Sequence, residues 1–146
     1  MFCEMRVVPF NLFRDLGRIP RSSDGLTVAS STIEDDALVV FVSHRWLRPE
    51  DGDPDDEQNS KHAAICVAIK AITRPSSSAK KSGRPVYLWI DYASIEQDNW
   101  EEKAKGIAGL PIYVSLDGSM SNLPPHDLRA CCCLSHTHLL TVNLKF

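Results

Sequence analysis

The side chains in this sequence best suited to bind or react stand at the ends of apolar runs. Ser43, His44, Arg45 and Trp46 follow one run, Asp91 and Tyr92 follow a second, and Ser115 and Asp117 close a third. Gathered at one edge, a hydroxyl, an imidazole, a guanidinium, two aromatic rings and carboxylates suit a phosphate-bearing ligand such as a nucleotide. Arg45 offers phosphate a planar fork, and Trp46 or Tyr92 offers a face on which a base can stack. Each residue also has a plainer use. Ser43 and His44 can satisfy backbone groups at a strand end, Asp91 can cap the turn that follows it, and Trp89 and Trp100 read as core or partner-facing anchors, which leaves Trp46 as the tryptophan placed for a site. No catalytic residue is assigned. Glu96, beside Gln97, is a candidate for a substitute acid on the same rim, although an exposed loop carboxylate is ordinarily just solvated.

Metal chemistry finds weaker support. Residues 50–57 hold six acidic side chains in eight positions, with Asp51, Asp53 and Asp55 alternating as in a calcium loop. Asp56 stands where such a loop needs glycine and His62 where it needs glutamate, so a solvated connection with weak calcium affinity is expected. Cys131, Cys132, Cys133, His136 and His138 have zinc-donor chemistry, yet adjacent cysteines do not match the spacing of a ligand knuckle. No metal site is expected. Gly106 and Gly109 form no phosphate-binding fingerprint, which has to follow a strand and open a helix.

The elements that must position these residues are legible as texture. Residues 37–42, 86–90 and 112–116 are short, unbroken apolar runs rich in β-branched and aromatic side chains, as in parallel strands buried on both faces. We expect three adjacent parallel strands, with 38–42 central. Between the first two, residues 59–73 place Ile65, Ala68, Ile69 and Ile72 on one helical stripe, ended by Arg74 and Pro75. Between the second and third, Asp98 with Glu101 reads as a helix start. Trp100, Ala104 and Ile107 share a face, Glu101 pairs with Lys105, and Gly109 with Pro111 marks the end. The alternation is βαβαβ, a parallel sheet with helices on its faces, whose ligands bind beyond the carboxyl ends of the strands where the winding reverses. A short helix over 9–16 precedes it, within an N-terminal flap and polar loop spanning 1–36. The α/β domain covers 37–118. Residues 119–146 read as an atypical tail, a candidate for disorder and early proteolysis.

Composition limits the partners. The chain has 146 residues, with sixteen Lys and Arg against nineteen Asp and Glu, a net charge of −3, which is no footprint for nucleic acid. No apolar run reaches the roughly 18 residues of a membrane span. Five cysteines, an odd number, do not suggest a secreted disulfide framework. A soluble, cytoplasmic protein with reduced thiols is expected.

Three segments together carry a family resemblance. VVFVSHRWLRP (39–49), VYLWIDYASIEQDN (86–99) and KAKGIAGLPIYVS (103–115) are similar, in order and spacing, to the TIR-like group that includes heterokaryon-incompatibility domains. The resemblance covers roughly half of the chain. It implies a flavodoxin-like sheet, a role in immune or self-recognition signalling and, in some members, cleavage of NAD or related nucleotides. Catalytic members carry a glutamate on the helix after the third strand, within a Trp-Cys-x-x-Glu-like sequence, whereas residues 118–146 hold neither Glu nor Trp. The expectation is therefore an incomplete or divergent member that binds an NAD-type nucleotide without cleaving it. The alternatives are a pure interaction module, associating with itself or with other TIR-like domains, or a gene-model or splice fragment.

Overall fold

The computed structural model describes residues 4–44, 46–74, 83–115, 129–130 and 138–144. Among the described residues six strands form one mixed sheet, in the order β2-β1-β4-β3-β6-β5. The strands are β1 (Arg6–Pro9), β2 (Val28–Ala29), β3 (Leu38–His44), β4 (Val86–Trp89), β5 (Arg129–Ala130) and β6 (His138–Leu144). Four α-helices accompany them among the described residues: α1 (Phe10–Leu16), α2 (Ser60–Ile72), α3 (Asp91–Ser94) and α4 (Trp100–Ser115).

The centre of the sheet is β3, which runs parallel to β4 on one side and to β6 on the other. Its residues alternate between two apolar layers. Val40 and Val42 join Val8, Leu88 and Ile90 under Phe13 of α1 and Ile65, Cys66 and Ile69 of α2. Val39 and Phe41 join Val7, Trp89 and Ile95 on the opposite face, where the Phe41 and Trp89 rings stack at 5.2 Å. The stretch 38–42, enclosed in this way, has no position for a polar side chain, which is why it reads as an unbroken apolar run. The stripe expected on α2 is the buried one: Ile65 and Ile69 are 1% and 0% exposed, each contributing about 2 kcal/mol of apolar burial.

Three expectations need correction. The run at 112–116 is not the third parallel strand, because α4 continues through Gly109 and Pro111 to Ser115. A short apolar run fits a buried strand and a helical segment equally well by periodicity. The third parallel strand is β6, from the supposed tail, with Leu38 opposite His138 and His44 opposite Leu144. Its Leu-Leu-Thr-Val core has the same texture as the other strands but no helical pattern ahead of it to announce a crossover. Finally, residues 1–36 are more than a flap. β1 pairs antiparallel with β4, and β2 pairs antiparallel with β1, so Val7 and Val8 are fully buried, one in each layer. The rest of the tail, 119–128, 131–137 and 145–146, lies outside the described residues.

The face that Trp100, Ala104 and Ile107 share on α4 is the exposed one. Trp100 and Ile107 are 76% and 47% exposed, while Gly106 faces inward. A Cβ at Gly106 would lie 3.0 Å from Cγ2 of Ile95, so the missing side chain is what lets the helix approach Ile95. The start of α4 is capped by Asn99, whose Oδ1 accepts the amides of Glu101 and Glu102 at 3.0 and 3.2 Å. Asp98 instead pairs with Arg21, and Lys105 pairs with Glu102 rather than with Glu101.

The position of β6 against the central strand has a measurable consequence. Amides of residues 139–143 should exchange with solvent as slowly as those of 39–42, within about tenfold, because both sets belong to one ladder. Hydrogen exchange read by mass spectrometry after proteolysis checks this. Rapid exchange at 139–143 beside slow exchange at 39–42 would remove β6 from the sheet.

Candidate functional site

From β3 the chain passes through α2 to β4 on one side, then crosses to β6 on the other, so its winding reverses between β3 and β6. Three of the candidate residues, Trp46, Asp91 and Tyr92, gather on the β3 and β4 side of this edge. The indole of Trp46 donates to Asp91 Oδ2 at 3.0 Å. Its ring meets the Tyr92 ring edge to face at 5.4 Å. Two blocks 45 residues apart in sequence are thus joined by one hydrogen bond. Asp91 opens α3, and its Oδ1 accepts the Tyr92 amide at 2.7 Å. Asp91 is thus the first residue of α3 and not its cap: the preceding position is Ile90, and no side chain caps the helix.

Sequence reasoning did not single out Arg21 for this cluster. Its Nη1 donates to the Tyr92 hydroxyl at 3.1 Å, its guanidinium lies over the Tyr92 ring at 5.6 Å, and its other arm reaches Asp98. The hydrogen bond to Arg21 holds the Asp98 carboxyl below its ordinary value, and Arg18 does the same for Asp24. Arg21 lies in a polar loop with no pattern to flag it; only the fold brings it to Tyr92.

Lys61 was missed as well. It is fully buried in the first turn of α2, and its ammonium donates to the Pro54 carbonyl. Burial pushes this amine below its ordinary value, while the carboxylates of Asp55 and then Asp91 act in the other direction. The acidic loop is therefore not merely solvated. Asp55 is 3% exposed, and its carboxylate accepts the amides of Asp56, Lys61 and His62 at 2.8, 2.9 and 2.8 Å. It caps α2 from outside the helix, supplying acceptors to amides that have no partner within the first turn. Arg48 folds the loop by donating to the Asp55 carbonyl at 3.0 Å and to Asp53 Oδ2 at 2.8 Å. Among the described residues no group of three or more His, Cys, Asp or Glu side chains is placed to hold a metal ion.

The remaining candidates divide. Ser43 is exposed on β3 and His44 ends that strand. Arg45 and Asp117 lie outside the described residues, as do Cys131, Cys132, Cys133 and His136, whereas His138 begins β6. Ser115 ends α4 rather than a strand, so it does not take the strand-end position expected of it. Glu96 accepts the Asp98 amide at 2.8 Å. It lines a groove of about 190 Å³ with Arg6, Ser22, Thr27, Ser94 and Glu102, in which Trp46, Asp91 and Tyr92 take no part. The only free cysteine among the described residues, Cys66, is buried, and burial pushes its thiol up. Among the described residues no helix is long and apolar enough to cross a membrane.

Comparison with protein-family models, curated proteins and solved structures finds no match for this chain.

Two outcomes follow from the polar anchors. Asp55→Ala should destabilise the fold by about 3 kcal/mol, because it strips a helix cap and a carboxylate neighbour from a buried ammonium. Asp55→Asn, which keeps one acceptor, should cost less; denaturant unfolding of both variants measures the difference. Asp24, Asp56 and Asp98 all sit below the ordinary 3.8 when folded. Their stabilisation is therefore complete at neutral pH and is lost as pH falls through and below that value. Thermal melts at neutral pH and at about pH 3 should show the loss, and part of it should disappear at high salt, since Asp98 and its partner Arg21 are exposed.

Proposed function

We propose that this chain is a TIR-like, heterokaryon-incompatibility-like signalling or self-recognition domain that binds an NAD-type nucleotide without cleaving it. The observation that carries the reading is the Trp46–Asp91 hydrogen bond, which unites two of the three family-like segments at the carboxyl ends of adjacent parallel strands. The strand order β4-β3-β6 supports it further, because moving first to one side of a central strand and then to the other is how a flavodoxin-like sheet begins.

In this reading Trp46 is the stacking wall. Asp91 holds its indole N–H, and the Tyr92 ring fixes its tilt, so the base meets a ring whose orientation is already set. Arg45, next in sequence, supplies the phosphate fork, and Arg21 steadies Tyr92 through its hydroxyl. Cleavage needs a carboxylate aimed at the ribosyl bond, and the carboxylate of Asp91 is already engaged by Trp46 and Tyr92. Glu96 faces a different groove.

A second reading, a module acting only through protein contacts with copies of itself or other TIR-like domains, is favoured by the exposed tryptophan on α4. The two are separated by mixing the purified chain with NAD. The nucleotide reading expects binding by calorimetry and no nicotinamide release above a buffer blank. Trp46→Ala should weaken binding about tenfold, the worth of one stacking face, and Arg45→Ala should weaken it through loss of the phosphate partner. Absence of binding leaves the interaction reading. Nicotinamide release that disappears in Glu96→Gln would overturn the claim of binding without turnover.

A further inference from the structure

We infer that the exposed face of α4 is a contact surface for a second copy of this chain, docked antiparallel through Trp100, Ala104 and Ile107. This deepens the interaction reading by naming its surface, and it does not depend on the nucleotide.

At 100° per residue, Gly106 and the buried Gly109 mark the inner side of α4, and Trp100, Ala104, Ile107 and Ala108 cluster on the outer side. All four are exposed, Trp100 by 76% and Ile107 by 47%. Large apolar residues grouped at helical spacing on the solvent side are the composition of a contact face rather than of a solvated one.

The spacing of these residues selects the occupant. Consider two copies of α4 crossing antiparallel about a two-fold axis between positions 103 and 104. Trp100 of each copy then lies level with Ile107 of the other. Ala104 lies within one residue, about 1.5 Å along the axis, of Ala104 of the other copy, and its small side chain permits close approach at the crossing. Glu101 likewise falls within one residue of Lys105 of the second copy. Both charges sit on the same flank of the apolar stripe, and a two-fold antiparallel pair sets like flanks against each other, so this attraction occurs twice. A single register satisfies the bulky pair, the small crossing residue and the charges together. Within one copy Lys105 pairs with Glu102, both about half exposed; such a surface pair is weak and yields readily to a competing partner. One helix face is a small interface, so the association is weak and concentration-dependent.

Sedimentation velocity on the whole chain over a range of concentrations tests this. The expected result is a reversible monomer–dimer equilibrium that Trp100→Glu abolishes; because Trp100 is exposed, the fold should persist, as checked by circular dichroism. Glu101→Lys alone and Lys105→Glu alone should each weaken the dimer about tenfold by placing like charges together, and the double variant should restore it to within about twofold of the starting chain. Three results would overturn the inference: a wild-type chain that stays monomeric throughout, a dimer indifferent to Trp100→Glu, or a double variant no better than the single ones. The second leaves self-association standing on another surface, and the first leaves the nucleotide reading untouched.

Discussion

The structure depends on β3 being closed off on every side. Its backbone pairs with β4 along one edge and β6 along the other, and its side chains alternate into two apolar layers. Such a strand can carry no charge and spare no backbone group, since each unmet polar group would go unpaired in the interior. The constraint propagates outward. One layer requires α1 and α2 to cover it, the other requires Ile95 and the side chains around β1 and β2, and polar residues are displaced to the carboxyl end, where Ser43 emerges exposed.

Charge is then used to hold what apolar packing leaves loose. The approach to α2 is an acidic loop that would repel itself if merely solvated. Arg48 gathers its carboxylates, and Asp55 turns inward to the amides of the first helical turn beside the buried Lys61. Burying a charge is costly unless it is hydrogen-bonded, and here the ammonium of Lys61 donates to the Pro54 carbonyl while the carboxylates of Asp55 and Asp91 favour its charged form. Gln97 plays a comparable part after β4. Its side chain bonds the carbonyls of Asp91 and Ile95 and accepts from Lys103, tying α3 to the start of α4.

The rim built on this frame is organised by its own contacts. Trp46, Asp91, Tyr92 and Arg21 satisfy one another, which sets ring orientations in advance and leaves the carboxylate of Asp91 engaged. The outer face of α4 has the opposite character: its large apolar groups lack cover among the described residues.

By itself, the sequence determined whatever depends on local periodicity and burial texture. The runs at β3 and β4, the stripe of α2 and the short helix α1 were legible because a doubly buried strand and a one-sided helix each leave a pattern within ten residues or so. Trp46, Asp91 and Tyr92 could be placed at a strand edge for the same reason. Only the tertiary structure decided which run became the third parallel strand. Residues 112–116 and 139–142 have similar texture, and pairing beside β3 distinguishes them, a contact spanning about a hundred residues. It likewise decided that Asp55 is a buried cap while Asp98 is an ion-pair partner, and that Arg21 belongs with Tyr92. A carboxylate or a guanidinium looks the same in sequence whether it meets water or another chain segment, and its role is set by long-range neighbours that no local pattern encodes.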